Sequence, residues 1–226
     1  MITPLSKISI ESMCGNKVMF DANIFMVGVT KRYSDPNFSF ENMKNLYLLP
    51  LMEMFKDIII HETVFEELDP ESKEFLRSYI GDKVCIVSEG NLYDTDPQYN
   101  ELFNKICNNE LVNYDRRETK NKGEIYSLAY AIYHGIDYFS TKDAMVDNVV
   151  NDMSELQSIK VITFDIIVLI AYIYHNLHGN KGLNKALKSI YKSQCEDVIK
   201  RRKLPQTLVM YVEETMKIMD ESIVKN

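Results

Sequence analysis

Short runs of β-branched and other apolar residues alternate with longer helical segments through the first 163 residues, and this alternation leaves few folds open. Four of the five short runs are bounded on both sides by polar residues, as expected for buried strands of a parallel sheet. The predicted strands are residues 17–20, 58–60, 84–87, 138–140 and 161–163. Parallel strands joined through helices need right-handed crossovers. The sequence therefore predicts an α/β protein, a three-layer α/β/α sandwich around a parallel sheet.

Helical periodicity is clearest between Glu124 and His134, where apolar residues recur at spacings of three and four and Gly135 follows as a stop signal. The apolar segment 40–56 contains Pro50, which suits the first turn of a second helix. Three further helices are predicted near the end of the chain, over residues 164–178, 183–203 and 207–223.

Charge is distributed unevenly along the chain, although the net charge is −7. Residues 1–163 contain 26 acidic and 16 basic side chains, whereas residues 164–226 contain 7 acidic and 10 basic ones. Together with the change from mixed to purely helical patterns, this difference indicates two parts. We expect one domain over 1–163 and a C-terminal helical extension over 164–226 that packs on it.

The sequence gives no sign of membrane insertion or secretion. Its longest strongly apolar run, residues 166–174, is nine residues long, whereas a bilayer span needs about 20. The first 14 residues lack the basic and long apolar regions of a secretory signal. The four cysteines are widely separated and form no Cys-x-x-Cys pair. We therefore expect a cytoplasmic protein with reduced thiols.

Acidic residues recur where the predicted strands end and where the clearest helix begins. Asp21 directly follows the first strand, Asp143 follows the fourth, Glu67 comes shortly after the second, and Glu124 opens the helix. Open parallel sheets bind ligands at the carboxyl ends of their strands. Mg²⁺ and Mn²⁺ prefer oxygen ligands, and a carboxylate cluster holding such an ion can activate water for attack on a phosphodiester.

Each acidic residue also has a structural interpretation, which the sequence leaves open. Asp143 could cap the helix that follows it, since Asp is a favoured N-cap residue. Glu67 and Glu124 could be ordinary carboxylates that are stabilised near helix N-termini. Asp21 is the hardest to explain in this way, because it directly ends a buried strand.

Four segments resemble, in order, the motifs of the PIN-domain nuclease family. They are residues 17–25 (KVMFDANIF), 63–69 (TVFEELD), 123–131 (GEIYSLAYA) and 139–143 (FSTKD). The resemblance covers residues 15–165 and implies a five-stranded sheet in the order 3-2-1-4-5. It also implies a metal-dependent endoribonuclease that hydrolyses single-stranded or structured RNA. Bacterial members that act as toxins suggest an antitoxin protein as a partner, and a homodimer is a further expectation.

The same resemblance assigns roles to individual residues. Asp21, Glu67, Glu124 and Asp143 would be catalytic and would hold Mg²⁺ or Mn²⁺, while Asn23 and Thr141 would orient the carboxylates. Asp147, one helical turn beyond Asp143, is a candidate fifth ligand, and a surface aspartate is the alternative. The candidate RNA contacts are four basic residues, for which a solvated loop is the alternative: Arg116, Arg117, Lys120 and Lys122.

Two other functions remain open at this point. A haloacid-dehalogenase-like phosphohydrolase also uses an aspartate at a strand end, but that family has Asp-x-Asp where this chain has Asp21-Ala22-Asn23. The second alternative is a binding module that has kept the PIN fold without catalysis. Retention of all four acidic residues argues against it.

Overall fold

The computed structural model describes residues 12–29, 32, 35–112, 121–183, 185–187 and 189–190. The chain divides into two compact units. One contains residues 16–27 and 56–164, including the whole β-sheet; the other comprises the described residues of 1–15, 28–55 and 165–226.

The five strands form one parallel sheet in the order β3-β2-β1-β4-β5. The predicted α/β class, parallel sheet and strand order are therefore confirmed. The strands are β1 (Lys17–Phe20), β2 (Asp57–His61), β3 (Val84–Val87), β4 (Tyr138–Thr141) and β5 (Lys160–Thr163). They differ from the predicted strands by no more than one residue at either end.

The central strand β1 is buried on both faces, as in a three-layer α/β/α sandwich: Val18, Met19 and Phe20 are completely inaccessible to solvent. On one face, Met19 joins Ile59 of β2 in a hydrophobic core. Helices of the same unit complete this core with Tyr99, Phe103, Ile106, Ile125, Leu128, Val146 and Val149. Continuous apolar strands of this kind exclude water from both sides of the sheet.

The sheet-containing unit has seven helices among its described residues: α1 (Ala22–Phe25), α4 (Glu62–Glu67), α5 (Pro70–Arg77), α6 (Leu92–Thr95), α7 (Pro97–Cys107), α8 (Lys122–Tyr133) and α9 (Ala144–Asp152). The other unit contains α2 (Phe40–Met43) and α3 (Leu49–Met54), and α10 (Phe164–Leu177) begins at the boundary between the units. Short 3-10 turns occur at Pro36–Phe38, Ser154–Leu156 and Lys181–Leu183.

A π-helical turn, Lys44–Leu48, separates α2 from α3 just before Pro50. Proline lacks an N–H group, so it cannot donate to the carbonyl four residues earlier, which belongs to Leu46. The Nε2 atom of the buried His175 lies 2.9 Å from that carbonyl oxygen. The histidine thus satisfies a backbone acceptor that the proline leaves without its usual helical donor.

Other predictions about the chain have mixed outcomes. Within the part that the structure describes, no helix is long and apolar enough to cross a bilayer. Residues 191–226, which include the predicted helix 207–223 and most of 183–203, lie outside the described residues. The division into a domain over 1–163 and an extension over 164–226 stays a prediction.

We expect His175→Leu to lower the free energy of unfolding by about 1–3 kcal/mol, because it leaves the Leu46 carbonyl buried without this donor. Urea denaturation followed by circular dichroism measures the change. His178→Leu, at an exposed position three residues later, is the matched control and should shift stability by less than about 0.5 kcal/mol. Equal effects of the two substitutions would contradict this role of His175.

Candidate active site

The parallel register brings the ends of β1 and β4 side by side. Phe20 pairs with Ser140, so the next residues along the two strands, Asp21 and Thr141, are level with each other. The backbone N–H of Asp21 donates to the Ser140 carbonyl at 3.0 Å, which continues the ladder by one bond. Asp143 follows two residues beyond Thr141 and is therefore delivered to the same edge of the sheet.

Asp21 is 1% exposed, and polar groups surround its carboxylate. Its Oδ1 atom accepts from the backbone N–H of Ala22 at 2.7 Å, which caps α1. Its Oδ2 atom accepts from the Thr141 hydroxyl at 2.8 Å and from the Asn23 side-chain amide. Thr141 and Asn23 therefore hold the carboxylate in one orientation.

Asp143 caps helix α9, as its structural interpretation predicted. Its Oδ1 atom accepts from the backbone N–H of Met145 at 2.7 Å. The backbone N–H of Asp143 donates to the Thr141 hydroxyl at 2.9 Å, and the Lys142 N–H donates to Asn23 Oδ1 at 2.8 Å. The loop that carries Asp143 is thus tied to the Asp21 network.

Glu67 lies at the C-terminal end of α4, and its carboxylate packs against the start of α8. The residue as a whole is exposed, but a Cβ atom placed on Gly123 would lie 2.9 Å from Glu67 Oε1 and 3.0 Å from Val64 Cγ2. The backbone N–H of Gly123 opposes the rise in the pKa of the Glu67 carboxyl group. The cap residue of α8, Asn121, makes no side-chain capping bond. The carboxylate of a neighbouring helix therefore lies close to the first turn of α8, where N–H groups have no helical partner.

Burial, together with repulsion from neighbouring carboxylates, raises the pKa values of Asp21, Glu67 and Glu124. Burial, followed by the charge of Glu124, raises the pKa of Glu67 from 4.5 to about 6. Burial and the charge of Asp143 raise the pKa of Glu124. The pKa of Asp21 is raised well above its usual value, first by burial and then by Glu124, although hydrogen bonds from Thr141 and Ala22 oppose the shift. The fold thus gathers four acidic groups that are distant in sequence into one electrostatically coupled cluster.

The chemistry of this cluster fits a hard divalent cation. All four side chains offer carboxylate oxygens, and positive charge would relieve the repulsion that raises the pKa values of three of them. Within the described residues, however, no three His, Cys, Asp or Glu side chains are already arranged as a ligand set.

Of the remaining predicted site residues, the structure describes Asp147 and Lys122. Asp147 lies on the first turn of α9, where its Oδ1 atom is 3.4 Å from Asn151 Nδ2; its role as a fifth ligand stays a prediction. Lys122 begins α8, and its ammonium group lies 5.6 Å from the ring centroid of Tyr126. The other three predicted RNA contacts lie outside the described residues: Arg116, Arg117 and Lys120.

Sequence reasoning missed Gly123, His61 and Glu89 as contributors to this edge of the sheet. His61 ends β2, and its Nε2 atom lies 2.8 Å from Glu89 Oε2, two residues after β3. Because both residues lie at or just after strand ends, the sequence could have identified them as candidate residues at this edge of the sheet. The close approach of Gly123 to Glu67 had no signal beyond the absence of a side chain.

We expect Gly123→Ala to displace the Glu67 carboxylate and to destabilise the protein by about 1–3 kcal/mol, because the added methyl group overlaps Oε1 and Val64. The unfolding free energy and the pKa of Glu67, followed by NMR, measure both effects. Gly15→Ala is the matched control, since a Cβ atom there meets no atom within 4 Å. An unchanged Glu67 pKa in the Gly123 variant would contradict the packing described here.

Without metal, we expect stability to fall as pH rises from about 5 to about 7, the interval around the raised pKa of Glu67. A carboxyl group with a raised pKa remains protonated in the folded protein at pH values where the unfolded chain is already ionised. Its stabilising contribution is therefore present at lower pH and lost through the folded pKa. Thermal melts in EDTA test this, and Glu67→Gln should flatten the dependence. Glu62→Gln, at an exposed position of the same helix, should leave the dependence unchanged.

Comparison with known proteins gives no match: no family model, no curated protein and no solved structure is similar to this chain.

Proposed function

We propose that this chain is a PIN-like, metal-dependent endoribonuclease, with its active site at the carboxyl edge of the parallel sheet. The observation that carries the proposal is the buried carboxylate of Asp21 at the end of β1, which Thr141 and Asn23 hold in place. Burial, and then the charges of Glu124 and Glu67, raise its pKa. Burial and repulsion by neighbouring carboxylates both destabilise an ionised carboxyl group, so a purely structural role does not account for one at this position. Such perturbed groups are concentrated at functional sites.

The chain's own residues would do the following work. Asp21 and Asp143 would bind the cation directly, and Glu67 and Glu124 would bind it directly or through water. Thr141 and Asn23 would keep Asp21 oriented by the hydrogen bonds described above. A bound Mg²⁺ or Mn²⁺ ion would supply positive charge that offsets the phosphate and favours ionisation of a water molecule. Lys122, at the N-terminus of α8, would bind a phosphate of the RNA next to the one that is cleaved.

A non-catalytic binding module remains the second candidate. The favouring observation is that no three potential ligands are already arranged for a metal ion in the described part of the chain. Such a protein would keep the fold and the acidic cluster without hydrolysing RNA. The proposed antitoxin partner, the homodimer and the cytoplasmic location follow from the family resemblance and the sequence alone.

We expect Asp21→Asn to lower Mn²⁺-dependent RNA cleavage by about a hundredfold or more, since loss of even an outer partner of a metal ligand typically costs 10- to 100-fold. The fold should survive, because asparagine keeps the volume of the side chain and removes a charge that burial disfavours. Cleavage of a labelled single-stranded RNA and thermal melting in EDTA measure the two effects.

Asp82→Asn, at an exposed position after α5, is the matched control and should cleave as the wild type does. An Asp21 variant that is folded and cleaves RNA at the wild-type rate would overturn the proposal. A wild-type protein that melts at higher temperature with Mn²⁺ but cleaves no RNA would support the binding module. Hydrolysis of a phosphomonoester instead of RNA would support the haloacid-dehalogenase-like alternative.

A further inference from the structure

A polar cleft of about 770 Å³ lies along helix α7 and contains none of the four clustered carboxylates. Tyr93 and Asp94 of α6, together with Asp96, the residue that caps α7, form one end of it. Residues of α7 and its C-terminal cap, among them Asn100 and Asn108, form the rest of the lining. A volume of this size is typical of ligand-binding clefts.

Three asparagines form a row along this cleft. Asn100, Asn104 and Asn108 follow one another at intervals of four residues, so they lie on one face of the helix with a rise of about 6 Å between neighbours. Asn104 Nδ2 donates to Asn100 Oδ1 at 2.7 Å and to the Asn100 carbonyl at 2.9 Å. Asn100 Nδ2 donates to the Tyr93 carbonyl at 2.9 Å. These bonds hold the Asn100 carboxamide in one orientation.

The row retains hydrogen-bonding capacity toward the cleft. A carboxamide has two N–H donors and two lone pairs on its oxygen. Asn100 uses one N–H and one lone pair in the bonds above, which leaves one of each. Within the part of the chain that the structure describes, the exposed Asn108 carboxamide makes no hydrogen bond. Asn100 and Asn108 can therefore each present one donor and one acceptor to a ligand.

The spacing of these two carboxamides matches one edge of an extended peptide. Every second residue of an extended chain points its N–H and its C=O to the same edge. A carboxamide can accept from that N–H and donate to that C=O. Asn100 and Asn108 are eight residues apart on the helix, about 12 Å, and four residues of extended chain span about 13 Å. The two side chains can therefore bind two residues of an extended segment that are four positions apart.

The charges of the cleft favour a basic segment. The carboxylates of Asp94, Asp96 and Glu101 line it, and Lys105 is the one basic residue among the described residues of its lining. The Lys105 ammonium lies 2.9 Å from Glu101 and 3.1 Å from Glu155, so a carboxylate outside the cleft shares its charge. Charge complementarity therefore favours lysine or arginine side chains in the occupant and disfavours the phosphates of a nucleic acid.

We propose that this cleft binds an extended, basic segment of a partner protein. The segment lies along α7, where Asn100 and Asn108 bind its backbone and the carboxylates of the cleft face its lysine or arginine side chains. Backbone hydrogen bonds provide affinity for an extended chain, and the carboxylates select a basic one. The inference does not depend on the proposed nuclease function, because the cleft and the carboxylate cluster have no residue in common.

The test is fluorescence anisotropy of a labelled, acetylated octapeptide of alternating lysine and serine, titrated with the full chain in EDTA and without RNA. We expect a dissociation constant below about 1 mM for the wild type. The same peptide with every backbone nitrogen methylated keeps its charge but cannot donate from its backbone, so it should bind at least about tenfold more weakly.

Two substitutions locate the binding. Asn108→Ala and Asp94→Asn should each weaken binding of the octapeptide about three- to tenfold, the equivalent of one or two hydrogen bonds or of one lost charge pair. Gln98→Ala, at an exposed position of α7 outside the cleft, is the matched control and should bind as the wild type does.

Several results would overturn the inference. One is a wild-type protein that does not bind the octapeptide, or that binds the methylated peptide equally well, since attraction between charges would then explain the binding. Another is equal binding by the Asn108, Asp94 and Gln98 variants, which would place the peptide elsewhere. A third is binding of cellohexaose or oligouridylate, in place of the peptide, that Asn108→Ala abolishes. None of these results depends on RNA cleavage.

Discussion

Burial of the Asp21 carboxyl at the end of the central strand is the constraint on which the rest of this site depends. The strand that delivers it is inaccessible on both faces, so the side chain leaves the sheet in a region with little water. Burying a carboxylate is unfavourable unless other groups compensate it. Thr141, Asn23 and the N–H of Ala22 supply hydrogen bonds, yet the pKa remains raised. The site therefore retains an unmet need for positive charge.

The surrounding elements compensate part of the negative charge of the carboxylates. The Glu67 carboxylate lies against the N-terminus of α8, and the missing side chain of Gly123 allows the close approach. Lys122 contributes a positive charge that also acts on Glu89. Helix termini and one lysine favour negative charge nearby, but they do not neutralise four carboxylates. This imbalance is the physical basis for proposing a divalent cation at this edge of the sheet.

Much of the architecture could be predicted because it depends on local patterns. Short apolar and β-branched runs identified all five strands, and Pro50 was predicted to lie in the first turn of a helix, as it does in α3. The π-helical turn before Pro50 and its compensation by His175 could not be predicted, since the histidine is 129 positions from Leu46. By contrast, Asp21 and Asp143 could be identified as candidate site residues, because each follows the end of a predicted strand. The pairing of His61 with Glu89 depends on β2 and β3 being neighbours, which apolar runs alone do not specify.

The sequence by itself determined the order of strands and helices along the chain and the position of acidic residues just after β1 and β4. It could do so because backbone propensity, side-chain alternation and strand-end positions are local properties. Only the tertiary structure decided which carboxylates act on one another, how far each pKa is raised, and which carboxylates Lys122 influences. Those quantities depend on burial and on the distances between charges from different strands, and both arise only when the sheet and its helices are assembled.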